Sequence, residues 1–156
     1  KMDQAIMGYC RLKYSLLLGE VTAETIKIEM ASAIGQKPEK LFVIRGRDLE
    51  TGLPRSLRIS GNEVREAILP ILQQVVSEVE GILEETPPEL ISDIAESGIV
   101  LAGGGALISG IDILFREALK MPVVIANDPL TAVVRGCGKL LEDQTLAKQV
   151  KLTRGR

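Results

Sequence analysis

The sequence predicts an α/β fold, and two observations carry the prediction. The final third reads strand, glycine loop, helix, strand, helix, which is the order of a parallel α/β layer. The part before it is helix-rich and carries one short hairpin, so the chain divides into a helical front and an α/β back. Its 156 residues, 46% hydrophobic and 26% charged, suit a globular chain with one good core or two small ones.

Each element has a local reason. Met2, Ala5, Ile6, Tyr9, Leu12 and Leu16 recur at helical spacing and predict an amphipathic helix from Met2 to Leu18, ended by Gly19. Thr22 is expected to cap a second helix with an apolar stripe of Ile26, Met30, Ala33 and Ile34, closed by Gly35. From Leu41 the pattern changes: "LFVIRGRD" and "RSLRIS" are β-rich and joined by "LETGLP", a hairpin. Ser60-x-x-Glu63 is a capping box opening a long helix with Val64, Ile68, Ile71, Val75, Val79 and Ile82 on one face. "TPP" at Thr86–Pro88 stops that helix and starts another over Pro88 to Glu96. Then follow strand Ile99–Ala102, helix Ile108–Leu119, strand Val123–Ala126, and a helix capped by Asp128 with Pro129 in its first turn.

Composition removes several function classes. The net charge of −2 with mixed signs gives no overall case for nucleic acid, and 3% aromatics leaves no stacking surface for single strands. The closing cluster of Lys148, Lys151, Arg154 and Arg156 against Asp143 reads first as a solvated tail and only weakly as an anionic-surface contact. With no histidine, nucleophilic triads lack their base, and Cys10 and Cys137 have no zinc-ligand spacing. Reduced thiols in a cytoplasmic compartment are expected. The most apolar stretch, Gly98–Phe115, contains glycines and Asp112 and does not read as a membrane span. No signal peptide is expected, and a chain opening on Lys1 is expected to be part of a longer one.

Three constellations could carry chemistry. In "IVLAGGGALISGIDIL", Gly103, Gly104 and Gly105 put bare backbone between a strand and a helix. That suits either an anionic ligand at unpaired N–H groups or a tight turn, and from the triplet alone the two stand equal. No Gly-Lys-Ser/Thr follows, so a P-loop is not expected. Glu24 and Lys27, three apart on a helix, could hold sugar hydroxyls and a base or phosphate, although spacing alone favours a surface ion pair. Glu20 reads as a charged loop residue. Glu84, Glu85, Glu89, Asp93 and Glu96 form an acidic band that suits a solvated helix face better than paired catalytic carboxylates.

Four stretches in order, "RLKYSLLLGEVTAETIKIEMASA", "TGLPRSLRISGNEVREAI", "ETPPELISDIAESGIVLAGGGALISGID" and "MPVVIANDPLTAVVRGCGKLLED", resemble the C-terminal half of the MreB family of rod-shape-determining bacterial actins. The resemblance covers nearly the whole chain.

It implies the actin-like (ribonuclease H-like) ATPase fold, with this chain supplying most of the second domain. The implied division is an inner helix over 1–21, an inserted α+β outer subdomain over 22–60, an inner α/β subdomain over 61–142, and a tail over 143–156. By resemblance, Gly103, Gly104 and Gly105 fall in the adenosine motif facing ribose and α-phosphate. Glu24 and Lys27 match positions contacting ribose and adenine, and Glu20 is a further nucleotide neighbour. The implied cofactor is ATP or ADP, with Mg2+ held mainly by the half of the family's sequence that is absent here. The phosphate loops and catalytic carboxylate belong to that half too, so the chain alone is expected to hydrolyse nothing, with no catalytic residue and no metal ligand of its own. Implied partners are other copies in a filament and membrane-associated cell-shape and wall-synthesis proteins, with membrane contact through the absent half. The implied location is the cytoplasm at the inner face of the cell membrane. The competing readings are another ATPase of the superfamily, such as a sugar kinase or chaperone, and a structural interaction module that binds no nucleotide.

Overall fold

The computed structural model describes residues 1–143 and 145–146. Lys148, Lys151, Arg154, Arg156 and most of the 143–156 tail lie outside the described residues.

Helix α1 (Met2–Tyr14) ends four residues before the predicted Leu18, because Ser15 turns left-handed with φ 50. The chain then enters β1 (Leu16–Leu17). Leu16 and Leu18 are buried while Leu12 is 88% exposed, so the apolar spacing from Leu12 to Leu16 joins two different elements. Helix α2 (Glu20–Met30) starts ahead of Thr22; its cap is Gly19, with extended backbone and no side-chain bond. It stops at Met30, well before Gly35, because Ser32 bridges in parallel to Ser109 and the Ala33 N–H donates to the Ser109 carbonyl at 2.8 Å. Ala33 therefore enters the core from an extended segment and not from a helical stripe.

Strands β2 (Leu41–Asp48) and β3 (Pro54–Ser60) form the expected antiparallel hairpin, and β1 joins the other edge of β2 to give the order β1-β2-β3. The hairpin turn is held by Asp48, whose carboxylate accepts from the Glu50 and Thr51 N–H groups at 2.9 Å each. The capping box is present at Ser60 and Glu63 and opens α3 (Gly61–Glu84). Along α3 the buried stripe is Val64, Ile68, Leu72 and Val76, so Ile71 and Val75 do not continue it as predicted, and Ile82 is 65% exposed. After Ile68 the apolar residues come in adjacent pairs, Ile71–Leu72 and Val75–Val76, and a 3.6-residue period cannot choose between two such stripes.

Helix α4 (Pro88–Ser97) starts on its proline as expected. Strands β4 (Ile99–Leu101) and β5 (Val123–Ile125) pair in parallel, with α5 (Ile111–Leu119) crossing between them. The predicted helix from Ile108 is interrupted: Gly104–Leu107 is a short 3-10 turn, and α5 begins only after Gly110 at φ 72. Helix α6 (Ala132–Glu142) likewise starts later than predicted. Asp128 has φ 49 and accepts a hydrogen bond from the Thr131 hydroxyl, which closes a turn and caps no helix N–H, while the Pro129 carbonyl accepts from the Gly103 N–H.

One buried cluster runs through all of this. Ile6 and Cys10 of α1, Leu16, Ile26 of α2, Ile44 and Ile59 of the sheet, and Ile68 and Leu72 of α3 meet Ile111, Phe115 and Val123 of the back layer. Helices α1, α2 and α3 thereby pack side by side, with α3 against α5 and α5 against the glycine turn.

Candidate functional site

A cleft of about 830 Å³ opens where α1, α2, α3 and the glycine turn converge, a size suited to a small organic ligand. Its polar groups are Glu24 and Lys27 from α2, Lys1 and Asp3 from the start of the chain, and the backbone of Gly104 and Gly105. Its apolar walls include Ile28, Ile71, Val75, Leu107 and Leu130. The stripe that α3 does not bury is thus a wall of this cleft.

The three glycines are not equivalent. Gly103 has φ 84, a conformation that side chains avoid, and its N–H donates to the Pro129 carbonyl at 2.7 Å. It serves the turn and does not line the cleft. A Cβ on Gly104 would meet nothing nearer than Leu130 Cδ2 at 3.6 Å, and one on Gly105 would meet nothing within 4 Å. Packing therefore does not demand glycine at 104 or 105, and what their bareness provides is open backbone facing the cleft. The first N–H groups of a helical turn have no partner within it, so they are available there.

Glu24 and Lys27 do not pair with each other. Lys27 Nζ instead meets Asp3 of α1, at 2.9 Å from Oδ1 and 3.2 Å from Oδ2. Glu24 has no ion pair among the described residues. Sequence spacing could not reveal the Asp3 partner, which lies 24 positions away on another helix. Glu20 is exposed in the first turn of α2 and stays outside the cleft. Of the six residues singled out from sequence, the cleft gathers Glu24, Lys27, Gly104 and Gly105; Gly103 and Glu20 lie outside its lining.

The arrangement can accept hydroxyl donors at Glu24, offer an ammonium at Lys27, donate backbone N–H groups at the turn, and cover a flat apolar ring. It contains no histidine, and no group of metal-ligating side chains exists among the described residues. No helix among them is long and apolar enough to cross a membrane.

The family model for the MreB/Mbl protein matches residues 1–149. The chain belongs to the MreB/Mbl family. It is 48% identical over 142 residues to the cell shape-determining protein MreB of Escherichia coli (strain K12), covering 91% of this chain and 41% of that protein. It is 46% identical over 144 residues to the cell shape-determining protein Mbl of Bacillus cereus, covering 92% of this chain and 43% of that one. The chain therefore spans less than half the length of these relatives. Among solved structures, MreB5 of Spiroplasma citri bound to ADP superposes with a TM-score of 0.88 at 36% identity, over 95% of this chain and 44% of that one. The same protein bound to AMPPNP gives 0.87. The fold is thus part of the actin-like ATPase fold that the resemblance implied, and the sugar-kinase and chaperone readings give way to the MreB/Mbl family.

Proposed function

We propose that this chain supplies the adenosine-facing half of an ATP/ADP cleft in a filament-forming, cell-shape-determining bacterial actin. The observation that carries the reading is the convergence of Glu24, Lys27, Gly104 and Gly105, from segments some eighty residues apart, on one open cleft. Family membership supports it, and so does the ADP in the related Spiroplasma structure. Glu24 accepts ribose hydroxyls, Lys27 meets the adenine end, and the Gly104–Gly105 backbone faces ribose and α-phosphate. Gly103 shapes the turn, and Glu20 stands at the periphery.

The β- and γ-phosphates, Mg2+ and the hydrolytic carboxylate are assigned to the half of the relatives that this chain does not span. Within the chain, 22–60 is the outer subdomain, set between an inner helix (1–21) and the inner α/β unit (61–142). Nucleotide bridging two domains favours their closed arrangement, and that arrangement is the one that assembles with further copies. The assembled protein is cytoplasmic, lies at the inner face of the membrane, and works with wall-synthesis partners there.

Titration of the isotope-labelled chain with ADP, followed by amide NMR shifts, tests the reading. Shifts at Gly104, Gly105 and the α2 amides are expected, with binding weakened roughly three- to tenfold by Glu24→Ala and lost in Gly104→Val. A Cβ at 104 would make only an ordinary van der Waals contact, with the Leu130 side chain, so an unchanged melting curve for Gly104→Val separates a filled cleft from misfolding. Identical binding by wild type and both variants would overturn the assignment.

A further inference from the structure

The three groups Glu24, Lys27 and Asp3 share one wall of the cleft, and only two of them pair. The ammonium of Lys27 has a choice of carboxylates: Glu24, one turn back on its own helix, or Asp3 on α1. It takes Asp3. The Oδ2 contact at 3.2 Å has hydrogen-bond geometry, while Oδ1 faces the ammonium at 2.9 Å as an ion pair. Oδ1 is buried and meets no other donor among the described residues. The side chains are only 27% exposed for Lys27 and 33% for Asp3, so this pair is partly sheltered from the solvent that makes most surface pairs negligible.

We propose that Asp3 is a positioning residue for the ligand-binding wall: it holds the Lys27 ammonium away from Glu24, so that both the amine and the Glu24 carboxylate are presented separately to a nucleoside. This rests on the adenosine reading above. Two consequences follow from the geometry. A lysine pinned at its tip has lost its rotamer freedom before the ligand arrives, so binding does not bear that cost again. A Glu24 without a cationic partner keeps its lone pairs free for ribose hydroxyls. Without Asp3, Lys27 is free to fold back onto Glu24 at the favourable three-residue spacing, and one substitution silences both groups.

The test is a double-mutant cycle on ADP binding by the chain, read by the same amide NMR titration. Asp3→Asn is expected to weaken ADP roughly three- to tenfold, and Asp3→Glu, which keeps the charge, to stay within about twofold of wild type. In a Lys27→Met background Asp3→Asn is expected to change nothing further, because its effect runs through the ammonium. A merely structural role for Asp3 would persist in that background. Additive effects, an unchanged affinity in Asp3→Asn, or tighter binding, as for a carboxylate that competes with the ligand, would each overturn the proposal. If Lys27→Met itself binds ADP as wild type does, the adenosine reading fails instead, and the two failures are distinguished.

Discussion

Lys13 Nζ lies 2.8 Å from Glu63 Oε1, tying the last turn of α1 to the first turn of α3. The Tyr14 hydroxyl donates to the same carboxylate, and the Ser60 N–H donates to its other oxygen at 2.8 Å. Burial by itself would raise the Glu63 pKa, but donation from Lys13, Tyr14 and Ser60 outweighs it and holds the group down at about 2, against an ordinary 4.5. Asp48 is also held at about 2, first by the Thr51 N–H and then by the Arg55 guanidinium at 2.9 Å.

Both carboxylates therefore favour the folded state when ionised. Their contribution is complete above pH about 4.5 and is lost as the pH falls toward about 2. A falling melting temperature across that window is expected, with little change between pH 5 and 7. Glu63→Gln should cost about 2 kcal/mol at neutral pH and flatten the acid decline. A variant whose acid decline stays as steep as wild type would remove Glu63 from the account.

Gly46 of β2 carries a second prediction. A Cβ there would fall on the Leu17 carbonyl oxygen and lie 2.9 Å from Leu16 Cγ. The obstacle is backbone, so β1 must leave β2 for the side chain to fit. Gly46→Ala should cost about 1–3 kcal/mol, seen as a melting temperature lowered by roughly 3–10 °C. Gly8→Ala in α1 and Gly81→Ala in α3, where nothing lies within 4 Å, should be neutral or slightly stabilising. Equal melting of all three variants would show that the β1–β2 contact is dispensable.

These same contacts explain what the sequence could and could not reveal. Signals confined to a few adjacent residues were legible: the Ser60–Glu63 box, the hairpin, the proline start of α4 and the strand–helix–strand back layer. Leu16 misled because its spacing from Leu12 satisfies a helix, and only pairing with the remote Asp48 makes it a strand. Ile71 and Val75 misled because α3 is apolar on two adjoining stripes, one facing the core and one the cleft. At the site, Glu24 and Lys27 were placed by resemblance, whereas Asp3 was invisible: an ion pair between α1 and α2 exists only once the helices are packed. The glycine triplet stood undecided between turn and ligand seat. The structure divides it, giving the turn to Gly103 and open backbone to Gly104 and Gly105.

The two thiols offer a probe of the α1–α3 junction. Cys10 is fully buried in α1, and burial together with the nearby Glu63 charge pushes its pKa up to about 11, whereas Cys137 is exposed on α6. The reactive species is the thiolate, so Cys10 is protected twice, by access and by protonation. In native buffer at pH 7.5, a thiol-specific disulfide reagent should modify one cysteine per chain rapidly, and peptide mass mapping should place it at Cys137. Cys10 should follow only at the rate at which α1 opens, and at once in denaturant. Cys137→Ser should remove the fast phase and leave the slow one. Because Glu63 ties α1 to α3, Glu63→Gln should speed labelling of Cys10 severalfold while leaving Cys137 unchanged. Cys10 labelling as fast as Cys137 in the native protein would mean that α1 does not pack on α3 in solution. The cleft built on their junction would then not be preformed.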